Sequence, residues 1–321
     1  MHRHIAPILY DFIYGRMKTM QQLIDLQLTM LVLMLAGVVL KKINIMGETG
    51  QANLTSLVIC LVLPANIVKS FMMEFNRAIL VSFAMVLIIS IAVQILCAIL
   101  GRVLYNRFSP ELKKCLRYGT ICSNAGFLGN PIAEGVFGSI GLSYASIFLI
   151  PQRIVMWSAG VSLFTESPDK KSLVKKVATH PCIVACYIGL FLMVTQLQLP
   201  GFLVASITSL SNCCTALSMM VIGMILADVK PQEMLDRKVL YFSLFRLVLI
   251  PLMIYIPFQF TDIESLAINV SVLLTAMPAG ATTSILAAKY NGDAIFATKM
   301  VVFSTLASLI STPVWSFLLA G

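Results

Sequence analysis

Two short polar runs stand inside an otherwise apolar chain, and each offers side chains able to hold a small ligand. The first is Cys122 to Gly135, where Asn124, Asn130, Pro131 and Glu134 are interspersed with glycines. The second is Leu274 to Ser284, with Thr275, Pro278, Thr282 and Thr283 around Gly280. An asparagine amide both donates and accepts, so Asn124 and Asn130 can bind a carboxylate or a cation. The same amides can instead satisfy backbone groups freed by a broken helix. Thr275, Thr282, Thr283 and Ser284 offer hydroxyls to substrate oxygens or to sodium, or bond back to their own helices.

The charged candidates are fewer. Glu134 is the acidic residue beside a break, and an intramembrane carboxylate is a candidate to carry a coupling proton. Its structural alternatives are a place in the outer vestibule or a cap on the following half-helix, where it favours the dipole. Arg153 and Lys299 stand at near-equivalent positions after Pro131 and Pro278. A cation there compensates freed carbonyls or attracts an anion, although Lys299 is close enough to a helix end to snorkel. Arg246, deeper in its segment, and Asn66, beside Pro64, are weaker candidates.

The surrounding elements are read from the apolar blocks. The chain is 59% hydrophobic and 12% charged, with a mean hydropathy of +0.91, which indicates a polytopic membrane protein. A spanning helix needs about 20 apolar residues, and about ten such segments can be drawn with short connections. Residues 1–22 form an arm carrying Arg3, Arg16 and Lys18, a poor signal peptide, with Met17 or Met20 as alternative starts. Residues 23–164 hold five segments, 165–179 a polar linker with Lys170, Lys171, Lys175 and Lys176, and 180–321 five more.

Proline removes a donor and clashes with the preceding turn, so both polar runs break their helices. The fourth segment is expected to end its first half near Gly126 and resume near Ile132. The ninth is expected to break at Pro278 and resume at Ala279. Freed backbone cannot face lipid and must line a polar cavity. Half-helix N-termini meeting there favour an anion. Breaks in corresponding positions of two halves are the mark of a transporter.

Basic residues orient the bundle. Lys41, Lys42, Arg102, Arg107, Lys113, Lys114, Arg117, the linker lysines, Lys230, Arg237, Lys238 and Lys289 share one set of alternate connections, and Arg3, Arg16, Lys18, Lys69 and Arg77 the other. The positive-inside rule makes the first set cytoplasmic and both termini external. Five segments before the linker and five after it are then inverted in topology. The net charge of +9 is thereby a topology signal, and no nucleic-acid partner is expected.

Other chemistries leave no pattern. The eight cysteines lack paired or metal-like spacing. No phosphate loop with a following Lys and Ser/Thr is present, and His2, His4 and His180 sit at segment ends. Neither an enzyme nor a metal protein is expected.

The run Asn124 to Ile132, the segment Gly37 to Lys42, Leu63-Pro64-Ala65, Leu199-Pro200, Gly223 to Ala227 and Thr275 to Tyr290 resemble the auxin efflux carrier family. The resemblance runs from Leu23 onward. It implies a fold similar to bile-acid symporters and sodium/proton antiporters, with crossed, broken helices. Helices 3, 4, 5, 8, 9 and 10 would move against a scaffold of helices 1, 2, 6 and 7 that forms a homodimer. The expected fold is therefore all-α, with ten transmembrane helices as two inverted five-helix repeats, broken and crossing at Pro131 and Pro278, in the cytoplasmic membrane. The expected function is alternating-access transport of a mono- or dicarboxylate such as malate, with Na+ or H+ as the coupling ion if there is one. The alternatives are a sodium/proton-type cation antiporter and an exporter of auxin-like aromatic carboxylates. The short lysine-rich linker departs from the long loop of the plant carriers.

Overall fold

A computed structural model describes residues 5–74, 77–160, 162–164, 175, 178–227, 236–261, 264–289 and 292–320. Within them the chain is helical throughout: α1 (Ile5–Lys42), α2 (Glu48–Ser70), α3 (Arg77–Leu104), α4 (Pro110–Ile121) and α5 (Ala125–Val155). After the linker come α6 (Pro181–Thr195), α7 (Gly201–Ala227), α8 (Arg237–Phe258), α9 (Ser265–Thr275), α10 (Thr282–Lys289) and α11 (Ala294–Ala320). Lys170, Lys171, Lys176 and Lys230 lie outside the described residues. The arm was expected to be separate from the first helix, but its backbone continues α1 from Ile5, and the apolar span begins at Ile24.

Seven helices among the described residues are long and apolar enough to cross a membrane, and α6 and α9 are shorter apolar helices. The long α5 is not straight. Gly138 has φ 69 and ψ −164, a backbone state open mainly to glycine. A Cβ on Gly141 would stand 2.6 Å from the Ala133 carbonyl oxygen, yet these residues would be about 12 Å apart along a straight helix. The chain therefore folds back at Gly138.

Three prolines are accommodated in one way. Widened five-residue turns at Val58–Val62, Ala125–Gly129 and Phe245–Leu249 precede Pro64, Pro131 and Pro251. A π turn shifts the carbonyl that the proline ring would otherwise strike, so the helix continues. Pro131 consequently does not mark the first break. The break lies upstream, at Cys122–Asn124, where Cys122 is extended (φ −106, ψ 95). The first half ends at Ile121 and the second resumes at Ala125, not near Gly126 and Ile132. In the second break α9 ends at Thr275 and α10 begins at Thr282, later than Ala279, with Pro278 inside the gap as expected.

Packing divides the helices into two groups. α1, α2, α6 and α7 pack on one another, as do α3, α4, α5, α8, α9, α10 and α11, and contacts of α1 with α11 and of α2 with α5 join the groups. α1 and α7 approach backbone to backbone: a Cβ on Gly37 would overlap the Met220 carbonyl, and one on Gly223 the Met34 carbonyl. Small residues at such crossings give close packing where lipid supplies no hydrophobic drive.

Candidate functional site

The two breaks meet. Ser123 and Ala279 form an antiparallel bridge; the Asn124 amide donates to the Pro278 carbonyl (2.7 Å) and the Gly280 amide to the Cys122 carbonyl (2.9 Å). The meeting point is thus Cys122–Asn124 with Pro278–Gly280, not Pro131 with Pro278. Each break satisfies polar groups in the other that lipid could not.

Side chains from α5 and α11 complete the pairing. Gln152 Nε2 donates to the Ser123 carbonyl (2.7 Å), and Ser123 Oγ donates to Gln152 Oε1 (3.0 Å). The Ala279 amide donates to Ser304 Oγ (3.2 Å). The Tyr118 hydroxyl, on α4, donates to Thr282 Oγ1 (3.2 Å), which ties the first half of one broken helix to the second half of the other. Gln152, Ser304 and Tyr118 escaped the sequence reading. The signal for Gln152 was present: an uncharged polar residue beside Arg153 in the run Ile147 to Val155.

A cavity of about 710 Å³ opens against the paired breaks. Asn124 and Phe127 line it from the first break, Ala281, Thr282 and Ser284 from the second. Val221, Ile222 and Ile225 of α7 form the facing wall, and Lys41 and Glu48 stand at the end nearest the α1–α2 turn. There Lys41 Nζ donates to Gln51 Oε1 (2.6 Å). The starts of two helices, α5 and α10, therefore border one cavity, and the positive end of each helix dipole favours negative charge there.

The other expected site residues are placed differently. Asn130 and its neighbour Pro131 are buried and do not line the cavity, and neither the oxygen nor the nitrogen of the Asn130 amide has a partner. Thr275 bonds back to the Ser271 carbonyl (2.7 Å), the structural alternative for that hydroxyl. Thr283 is buried with its hydroxyl unpartnered, and Pro278 contributes its carbonyl to Asn124. Lys299 is half-buried on α11 beside Thr298, which lines the cavity.

Arg153 is buried, with Nη2 4.0 Å from the position of a Cβ on Gly126, so a cation stands beside the first turn of α5. His180, at the N-cap of α6, accepts from the Cys182 amide (3.3 Å). Burial, and then the Arg153 charge, push its imidazole down to about 4. Arg246 is buried with Nε and Nη1 unpartnered, within electrostatic reach of Cys97, Cys122 and Tyr105.

Glu134 does not line the cavity. Asn66 Nδ2 of α2 donates to its Oε2 (3.4 Å), and Ser211 Oγ of α7 donates to Asn66 Oδ1 (2.5 Å). The carboxylate is thereby linked across the boundary between the two helix groups. Among the described residues no cluster of three or more His, Cys, Asp or Glu side chains could hold a metal.

Residues 23–177 and 169–316 match the model of a family described as membrane transport protein. The chain belongs to the auxin efflux carrier family of membrane transport proteins. An uncharacterized transporter of Methanothermobacter thermautotrophicus is 27% identical over 298 residues, covering 91% of this chain and 97% of its own. An uncharacterized transporter of Methanocaldococcus jannaschii is 25% identical over 309 residues, covering 92% and 98%. The paired breaks, the cavity and the apolar spans thus belong to a multi-pass membrane transporter.

Proposed function

We propose that the chain is a secondary active transporter that moves a small organic anion, a mono- or dicarboxylate such as malate, by alternating access. The observation that carries this reading is that two helix N-termini, at Asn124 and Thr282, border one cavity. A carboxylate there would receive the positive ends of two helices together with the Asn124 side-chain amide and Thr282 hydroxyl, without needing a buried cation. The alternative cation antiporter would call for paired carboxylates at the breaks, whereas Glu134 is engaged with Asn66 away from the cavity.

On this reading the fold-back at Gly138 divides α5 into a half-helix and a further crossing. Ten crossings follow, in two inverted halves with both termini outside the cytoplasmic membrane. The group containing both breaks is the moving part. The group of α1, α2, α6 and α7 is the scaffold, through which a homodimer would form. Glu134 is the group through which protons would couple, and the Thr282 and Ser284 hydroxyls are those through which sodium would.

Counterflow in proteoliposomes tests the reading. Vesicles loaded with unlabelled malate, malonate, lactate or indole acetate should transiently accumulate the labelled compound, and Asn124→Ala should reduce this on the order of tenfold in folded protein. Absence of counterflow with every carboxylate would reject the organic-anion reading. Repeating the uptake with imposed proton or sodium gradients identifies the coupling ion.

A further inference from the structure

A second hollow lies where α1 and α7 meet α11, across the boundary between the two helix groups. It is a groove of about 200 Å³, walled by Leu31, Met34 and Leu35 of α1, Leu226 of α7 and Leu306 of α11. Among the described residues that line it, Lys42 alone is charged. Leu35 and Leu306 are exposed at their outer faces, so in a membrane the groove opens to lipid.

Its dimensions match one leaflet. From Leu31 to Lys42 the helix rises about 16 Å, close to the roughly 15 Å that one leaflet contributes to the hydrocarbon core. Lys42 is the last residue of α1, at the end that the positive-inside reading makes cytoplasmic. Its ammonium can hold a phosphate at the depth of the lipid headgroups while the apolar walls receive methylenes. A zwitterionic headgroup carries its own cation beside the phosphate, so this pairing favours a lipid with net negative charge.

We propose that the groove holds one acyl chain of an anionic phospholipid, with the lipid phosphate on Lys42. The lipid then contacts scaffold and moving helices together and belongs to the working transporter. This rests on the chain spanning a membrane and not on the substrate proposed above.

The full chain in neutral detergent provides the test, through its unfolding temperature with added phosphatidylglycerol, phosphatidylcholine or inorganic phosphate. The expected result is a larger rise with phosphatidylglycerol than with phosphatidylcholine. Lys42→Gln should remove the difference by taking away the cation, and Leu306→Trp by filling the groove. If Leu306→Trp proves unstable without lipid, Leu35→Trp on the facing wall serves the same purpose. Equal rises with the two lipids, or a difference that survives Lys42→Gln or the groove-filling variant, would overturn the proposal. An equal rise with inorganic phosphate would do so too, by making Lys42 a site for the free anion.

Discussion

The two breaks do the same work with different materials. The first is short, Cys122–Asn124, and is followed at once by a widened turn and a proline. The second is longer, running from Ala276 to Ala281, with its proline inside the gap. A glutamine reaches the first through two hydrogen bonds, and a serine reaches the second through one. Unsatisfied backbone inside a membrane is costly, so the compact break leans on one outside side chain, Gln152, whereas the longer one divides the task between Ser304 of α11 and its own Ser284, whose hydroxyl donates to the Ala281 carbonyl (2.8 Å).

Breaking the glutamine clamp should have the largest effect. Gln152→Leu strips the Ser123 carbonyl of its donor in a buried site, a loss of roughly 1–3 kcal/mol. It should lower the unfolding temperature in detergent and abolish counterflow. A stable, active Gln152→Leu protein would mean that the first break does not depend on α5.

Next come the two cavity-facing caps. Asn124→Ala and Thr282→Val should each reduce carboxylate counterflow on the order of tenfold, the scale of one hydrogen bond to a charged group. Asn130→Ala, at a buried residue that does not line the cavity, should leave the apparent substrate affinity unchanged. An affinity change with Asn130→Ala but not with Asn124→Ala would move the site from the cavity to the helix interior.

Ser304→Ala removes the side-chain acceptor of the Ala279 amide and should cost about 1 kcal/mol, less than Gln152→Leu. Matched losses would erase the asymmetry.

The smallest effect concerns the cation beside the first break. His180 titrates at about 4, below its ordinary 6.5, through burial first and Arg153 second. Its neutral form therefore stabilises the fold above about pH 6.5, and that contribution declines as the pH falls toward 4. Arg153→Gln should raise the His180 value part of the way, since burial persists, as read by NMR of labelled histidine. No change would show that the Arg153 charge does not reach α6.

Much of this arrangement was legible in residue types. Asn124, Thr282 and Ser284 were candidates because polar residues in an apolar chain need a reason, and all three line the cavity. Pro131 misled because proline is normally a helix breaker, yet a widened turn lets α5 run through it. Glu134 was seen, but its partner Asn66 lies on another helix, and no local spacing joins them. Gln152 was overlooked because a lone glutamine reads as a tolerated polar residue until its acceptor is known.

Composition, apolar block lengths and the two glycine- and proline-bearing runs by themselves determined a polytopic helical membrane protein with two interrupted helices, and the family resemblance followed from those same residues. Those properties are local, since hydropathy, helix breaking and backbone freedom depend on a residue and its near neighbours. Tertiary structure alone decided that the breaks pair at Ser123 and Ala279, that Gln152 and Ser304 complete them, and that Asn124 faces the cavity while Asn130 does not. Hydrogen bonds between helices far apart in sequence depend on how those helices cross, and packing alone sets that.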